Sequence, residues 1–130
     1  MPKKVIQTDK AGPPLGAYSQ GMRAGDFIFV TGCGPIDPAT AQVTGETVEE
    51  QTEVVINNLE AILEAGGATL ADVVKATVHL ADETQFPRFN EVYARRFLEP
   101  RPARTTVGSG LRQVPGMLVE IDLIAYTGET

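Results

Sequence analysis

A chain of 130 residues, 42% of them hydrophobic, has the size of one ordinary domain and enough apolar side chains for a single core. Its 11 Lys and Arg stand against 17 Asp and Glu, a net charge of −6 that gives no long-range attraction for phosphate backbones or anionic membranes, so nucleic acid is a poor expected partner. One cysteine, Cys33, cannot form an internal disulfide, and one histidine, His79, cannot furnish a Cys/His zinc cage; the composition fits a reducing compartment, and no metal is expected.

The opening "MPKKVIQTDKAGPPLG" has no apolar run long enough for a signal sequence. No window anywhere approaches the roughly 18 apolar residues of a membrane span. The expectation is a soluble, cytoplasmic protein without a membrane partner. No repeat, low-complexity tract or linker divides the chain, and residues 1–130 read as one domain.

In chain order, Gly25-Asp26 supplies turn chemistry between Ala17–Arg23 and the β-rich Phe27–Thr31, which predicts a hairpin. The following "CGPIDPATAQVTGET" is too rich in Pro, Gly, Asp and Thr for a regular element and reads as an ordered loop. Thr47 with Glu50 three residues on has capping-box spacing and predicts a helix start. Val48, Val55, Leu59, Ile62 and Leu63 recur at helical spacing, and Ala65–Gly67 is a natural stop.

"VVKATVHL" reads as a strand with Val74, Ala76, Val78 and Leu80 on one face and Val73, Lys75, Thr77 and His79 on the other. A second helix is predicted from about Thr84 to Phe97, with Phe86, Phe89, Tyr93 and Phe97 as its apolar stripe and Pro87 in its first turn. Pro100 and Pro102 end it. The last strand carries Met117, Val119, Ile121, Leu123 and Ala125 on one face and Leu118, Glu120, Asp122, Ile124 and Tyr126 on the other.

These elements imply an α+β fold, a sheet with two helices on one face. The opposite face keeps Leu118 and Ile124 and is expected to be buried in an oligomer. Charges inside a greasy strand need partners. If "ARTTV" and "MLVEIDL" are neighbouring antiparallel strands closed by "GSGLRQVPG", Arg104 falls near Glu120. Taken alone, such a pair reads equally well as a cross-strand ion pair.

"GAYSQG", "FVTGCGPIDPATAQVTG", "ADVVKATVHLAD", "FPRFNEVYARRF" and "PARTTV" with "GMLVEIDLIA" follow the order and spacing of one family. Over nearly its whole length the chain resembles the RidA (YjgF, reactive intermediate deaminase) family. The resemblance implies a fold like that of the small chorismate mutases, with a mixed sheet, and a homotrimer whose sheets form a central barrel with three intersubunit clefts. It further implies cofactor-free hydrolysis of enamines and imines of the 2-aminoacrylate and 2-iminopropionate type to 2-keto acids and ammonia.

By the same resemblance, Arg104 matches the carboxylate-binding arginine and Glu120 the acidic residue associated with the attacking water. Tyr18, Thr31, Gly32 and Asn90 match positions lining that cleft, the Thr31-Gly32 segment as a turn offering backbone N–H groups. Many deaminases of the family have a cysteine where Thr106 stands here, so a hydroxyl or Glu120 alone would hold the water. Each lining residue also has a plain reading: Tyr18 as a sheet aromatic, Asn90 as a polar helix residue, Thr31 as a strand former.

Other signals are weak. "GCG" and "GSG" lack the third glycine and the strand-to-helix setting of a nucleotide site. Cys33 reads as a small buried filler, His79 as a partly exposed strand residue, and Arg95-Arg96 as a helix end satisfied by dipole and solvent. Three functions are in play. The first is deamination of small 2-imino acids; the second is non-catalytic binding of a 2-keto acid, or a chaperone-like role; the third is ribonuclease or translation-inhibitor activity, which the acidic charge opposes.

Overall fold

The computed structural model describes residues 2–128. A short strand β1 (Lys4–Ile6) pairs with β2 (Gly21–Ala24), which turns through Gly25 at φ +60° into β3 (Phe27–Cys33). The expected hairpin forms, shorter on its first side. Residues 17–20 leave the strand because buried Gln20 turns inward. Its amide nitrogen donates to the carbonyls of Thr8 and Gly12, and its amide oxygen accepts from the Thr8 N–H.

Helix α1 (Val48–Ala65) begins as its sequence predicts. The Thr47 hydroxyl accepts from the Glu50 N–H at 3.1 Å, and the Glu50 carboxylate accepts from the Thr47 N–H at 3.2 Å. The helix ends at Gly66, and Gly67 at φ +86° turns the chain away in a conformation glycine adopts freely. β4 (Val73–Leu80) follows, then a single 3-10 turn (Glu83–Gln85), α2 (Phe86–Arg96), β5 (Ala103–Gly108) and β6 (Val119–Tyr126).

The six strands lie in the order β1-β2-β3-β6-β4-β5, antiparallel throughout except for the parallel pair β4–β5. This overturns the expected hairpin between "ARTTV" and "MLVEIDL". A helix separates β4 from β5, so β5 returns parallel to β4, and β6 then inserts between β3 and β4. A second correction concerns the start of β4. The register slips between Val73 and Lys75, a β-bulge that turns Val73 into the core and leaves Val74 exposed, the reverse of simple alternation.

Both helices cover one face. Ile56, Leu59, Ile62 and Leu63 of α1 and Phe89 and Phe97 beside them meet Ile28, Ala76, Val78, Ile121 and Leu123 of the sheet, all essentially inaccessible. Full burial of each such aliphatic or aromatic side chain contributes about 1.5–3 kcal/mol. Glu49 pairs with Arg88 at 2.7 Å and Glu53 with Arg96 at 2.6 Å, so α1 and α2 run side by side in one direction. Arg96 thus has specific partners on α1 beyond the helix dipole and solvent. The opposite face stays open, with Phe27, Phe29 and Val107 each at least 40% exposed.

Candidate functional site

Glu120 lies near the start of β6 on the open face, directly across from His79 of β4. On its other side runs β3, whose register with β6 slips between Val30 and Cys33. Thr31 and Gly32 sit in that slip, within the strand and not in a turn. The Thr31 N–H is already spent on the Gln20 carbonyl at 2.9 Å, so it is not free for a ligand. Gly32 serves by lacking a side chain: a β-carbon there would lie 3.0 Å from the Glu120 carboxyl carbon.

Tyr18 stands about half exposed at the rim, its hydroxyl accepting from the Leu15 N–H at 3.0 Å. With Thr31, Gly32, His79, Ser109, Arg112, Met117, Glu120 and Asp122 it lines an open cleft of about 1440 Å³. Burial pushes the Asp122 carboxyl above the ordinary carboxylate range, while His79, Lys75 and a hydrogen bond from Thr77 pull it back. Cys33 lies buried behind this wall, its thiol pushed up to about 12 by burial first and then by the charges of Glu120 and Asp122. A buried thiol that ionises so reluctantly is in keeping with a small filler.

Arg104 belongs to a different place. It pairs with Ala76 across β4–β5, whereas Glu120 pairs with His79, and residues 76 and 79 point to opposite sides of their strand. The Arg104 guanidinium therefore rises on the helix side. One Nη donates to the Asn90 Oδ1 at 2.8 Å, and the cation lies 4.6 Å from the centre of the Tyr93 ring, 5.4 Å from Phe86 and 5.7 Å from Phe89. The aromatic stripe that packs α2 onto the sheet also forms the bed of this cation.

Thr106, two residues on, shares that side, and its buried hydroxyl finds no partner among the described residues. Arg104 and Thr106 line a second hollow of about 620 Å³ with Leu80, Glu83, Phe86, Val107 and Gly108. The seven residues singled out in the sequence thus fall into two groups. Tyr18, Thr31, Gly32 and Glu120 line the first cleft; Arg104 and Thr106 line the second, with Asn90 holding Arg104 beside it.

Sequence reasoning passed over Phe86, Phe89 and Tyr93 as a cation bed, and His79, Ser109 and Asp122 as cleft walls. The aromatic stripe was visible, but which strand it faced was not. Among the described residues, no three His, Cys, Asp or Glu side chains are grouped to hold a metal ion, and no helix is long and apolar enough to cross a membrane.

The family model described as Endoribonuclease L-PSP matches residues 8–127. A RutC family protein of Pyrococcus abyssi is 48% identical over 126 residues, covering 97% of this chain and 98% of that one. The chloroplastic Reactive Intermediate Deaminase A of Arabidopsis thaliana is 44% identical over 104 residues, which are 80% of this chain and 56% of that longer one. The crystal structure of RidA from the Antarctic bacterium Psychrobacter sp. superposes with a TM-score of 0.89 at 40% identity, covering 95% of this chain and 98% of that one. With the fold, the length of the match and the relatives in agreement, the chain belongs to the YjgF/RidA family.

Proposed function

We propose that the chain hydrolyses small 2-imino acids and their enamine tautomers, of the 2-aminoacrylate and 2-iminopropionate type, to 2-keto acids and ammonia. On this reading it works in the cytoplasm as a homotrimer whose clefts lie between subunits, without a cofactor. The observation that carries the reading is the separation of Arg104 from Glu120. One is an anion anchor and the other an acid–base group, each in its own hollow on opposite faces of one sheet. Facing opposite ways within one chain, they do not share a hollow, and on this reading a second copy brings the complementary half. The exposed Phe27, Phe29 and Val107 on the open face give such a copy an apolar surface to cover.

The chemistry asks for these residue types. A planar guanidinium, already held by Asn90 and set over aromatic rings, grips the substrate carboxylate through paired N–H donors and fixes the neighbouring imine carbon. The Glu120 carboxylate accepts a hydrogen bond from a water, aims its oxygen at that carbon and takes its proton as the C–O bond forms. The unpartnered Thr106 hydroxyl supplies one more polar contact beside the anchor. An imine is already electrophilic, so positioning with modest acid–base help suffices.

The name of the Arabidopsis relative supports the deaminase reading. The description of the family model favours a ribonuclease instead. Against that stand the net charge of −6 and the paired carboxylates of Glu120 and Asp122 in the first cleft. The deciding assay couples a pyridoxal-phosphate dehydratase, which releases 2-aminoacrylate, to detection of the 2-keto acid, with light scattering on the same samples. Acceleration by the wild type and none by an equally assembled Arg104→Ala is the expected result. Equal rates in both proteins overturn it, and keto-acid binding by calorimetry without turnover identifies a binding protein.

A further inference from the structure

His79 is a partly exposed residue of β4, as its sequence suggests, and its ring is also held in place. Its Nδ1 lies 2.8 Å from the Ser109 Oγ, a contact that spans 30 residues of sequence and ties the β4 imidazole to the loop leaving β5. Ser109 is itself anchored, its N–H donating to the Leu80 carbonyl at 2.9 Å. The ring lines the same cleft as Glu120 and is its cross-strand partner, a position that brings β-carbons to about 4.5–5.5 Å. Asp122 lies one pleat along on the same face and lines the same cleft. An imidazole tied down by one hydroxyl thus sits beside Glu120 in the wall of one cleft.

We infer that His79, held by Ser109, carries the proton between Glu120 and the departing amino nitrogen. The inference rests on the deaminase reading and adds a named residue to it. With Nδ1–H donating to the Ser109 oxygen, Nε2 is free to accept, and the Ser109 contact is the same in the neutral and the charged ring.

The step balances on an iminium substrate. Water adds through oxygen, the C=N pair moves to nitrogen, and Glu120 takes the water's proton, leaving a neutral carbinolamine. Glu120 passes that proton to Nε2 of His79, which delivers it to the amino nitrogen. The C–N bond then breaks with its pair staying on nitrogen, and the hydroxyl proton returns to Glu120 as the carbonyl forms. Glu120 gives that proton to the departing ammonia, so iminium and water become keto acid and ammonium, and both side chains end as they began. Ser109 is a positioning residue that acts through His79.

The test measures kcat and KM in the dehydratase-coupled assay for His79→Gln, Ser109→Ala, Ser109→Thr and Glu120→Gln, each checked for assembly by light scattering. The expected result for His79→Gln is a kcat lower by about a hundredfold with KM within about threefold, the usual yield of a positioned acid–base group. Ser109→Ala should fall in the same direction by less, Ser109→Thr should recover the rate, and Ser109→Ala should add nothing on top of His79→Gln. Added imidazole should restore turnover to His79→Gly. If His79→Gln assembles poorly, the contrast between Ser109→Ala and Ser109→Thr carries the decision. A wild-type kcat in His79→Gln or in Ser109→Ala, beside an inactive Glu120→Gln, overturns the role of His79 and leaves the deaminase standing. A wild type no faster than buffer overturns the deaminase reading and this inference with it.

Discussion

A β-carbon placed on Gly32 would come within 3.0 Å of the Glu120 carboxyl carbon and 3.2 Å of its Oε1. The two residues belong to neighbouring strands where the β3–β6 register slips, so the carboxylate leans into space that only a glycine leaves open. Gly32→Ala should displace that carboxylate by a few tenths of an ångström or more. The expected outcome is a kcat lower by about tenfold or more with KM little changed, because on the proposed reading the group that directs the water moves while Arg104 does not. Steady-state kinetics with a melting curve checks it, and an unchanged kcat would remove Glu120 from its assigned role.

Thr106 has a buried hydroxyl with no partner among the described residues. Removing an unpaired buried polar atom while keeping the shape relieves a penalty of about 1–3 kcal/mol. Thr106→Val should therefore melt no lower than the wild type, and higher if no water reaches that oxygen. If the hydroxyl touches substrate beside Arg104, the same variant raises KM. Thermal unfolding and kinetics on one preparation separate the two effects.

Because Arg104 and Glu120 face opposite ways, two dead variants should rescue each other. Arg104→Ala and Glu120→Gln, unfolded together, refolded and assembled at random in equal amounts, should regain about a quarter of the wild-type rate, since one shared cleft in four receives both intact residues. A site contained in one chain would regain nothing. The measurement is the coupled assay before and after mixing.

Asp122 fixes the sign of a pH effect. Its carboxyl is raised in the folded chain, chiefly by burial, so the fold binds a proton more readily than the unfolded chain does. The stability this contributes is fully present below the unfolded value and is lost as pH rises through the folded one. Asp122→Asn lacks that loss. Its melting temperature relative to wild type should climb from acid toward neutral pH and then level off, and a difference that shrinks over that range would contradict the assignment.

Local features were legible in the sequence because their physics is local. Thr47 and Glu50 cap α1 through bonds three residues apart, and the strict alternation of Val119–Tyr126 is the alternation of β6 itself. The stripe from Phe86 to Phe97 was equally plain, and three of its four residues are buried as expected. Strand order was not legible, because nothing in "ARTTVGSGLRQVPGMLVEIDL" records that β4 lies between its two strands. The bulge that exchanges Val73 and Val74 depends on how β4 meets β6. Arg104 and Glu120 were singled out by resemblance, and only the pairing of their strands shows that they occupy opposite faces. The contact between His79 and Ser109 joins residues that neither periodicity nor a motif connects.

The placement of Cys33 has a chemical meaning of its own. A thiolate beside a cleft is the side chain most readily modified by an electrophilic ligand. Here the sulfur is buried, and that burial, with the charges of Glu120 and Asp122, pushes its ionisation up to about 12 and favours the thiol over the thiolate. On the proposed deaminase reading, the chain's single thiol is thereby kept apart from the intermediate that the cleft would receive.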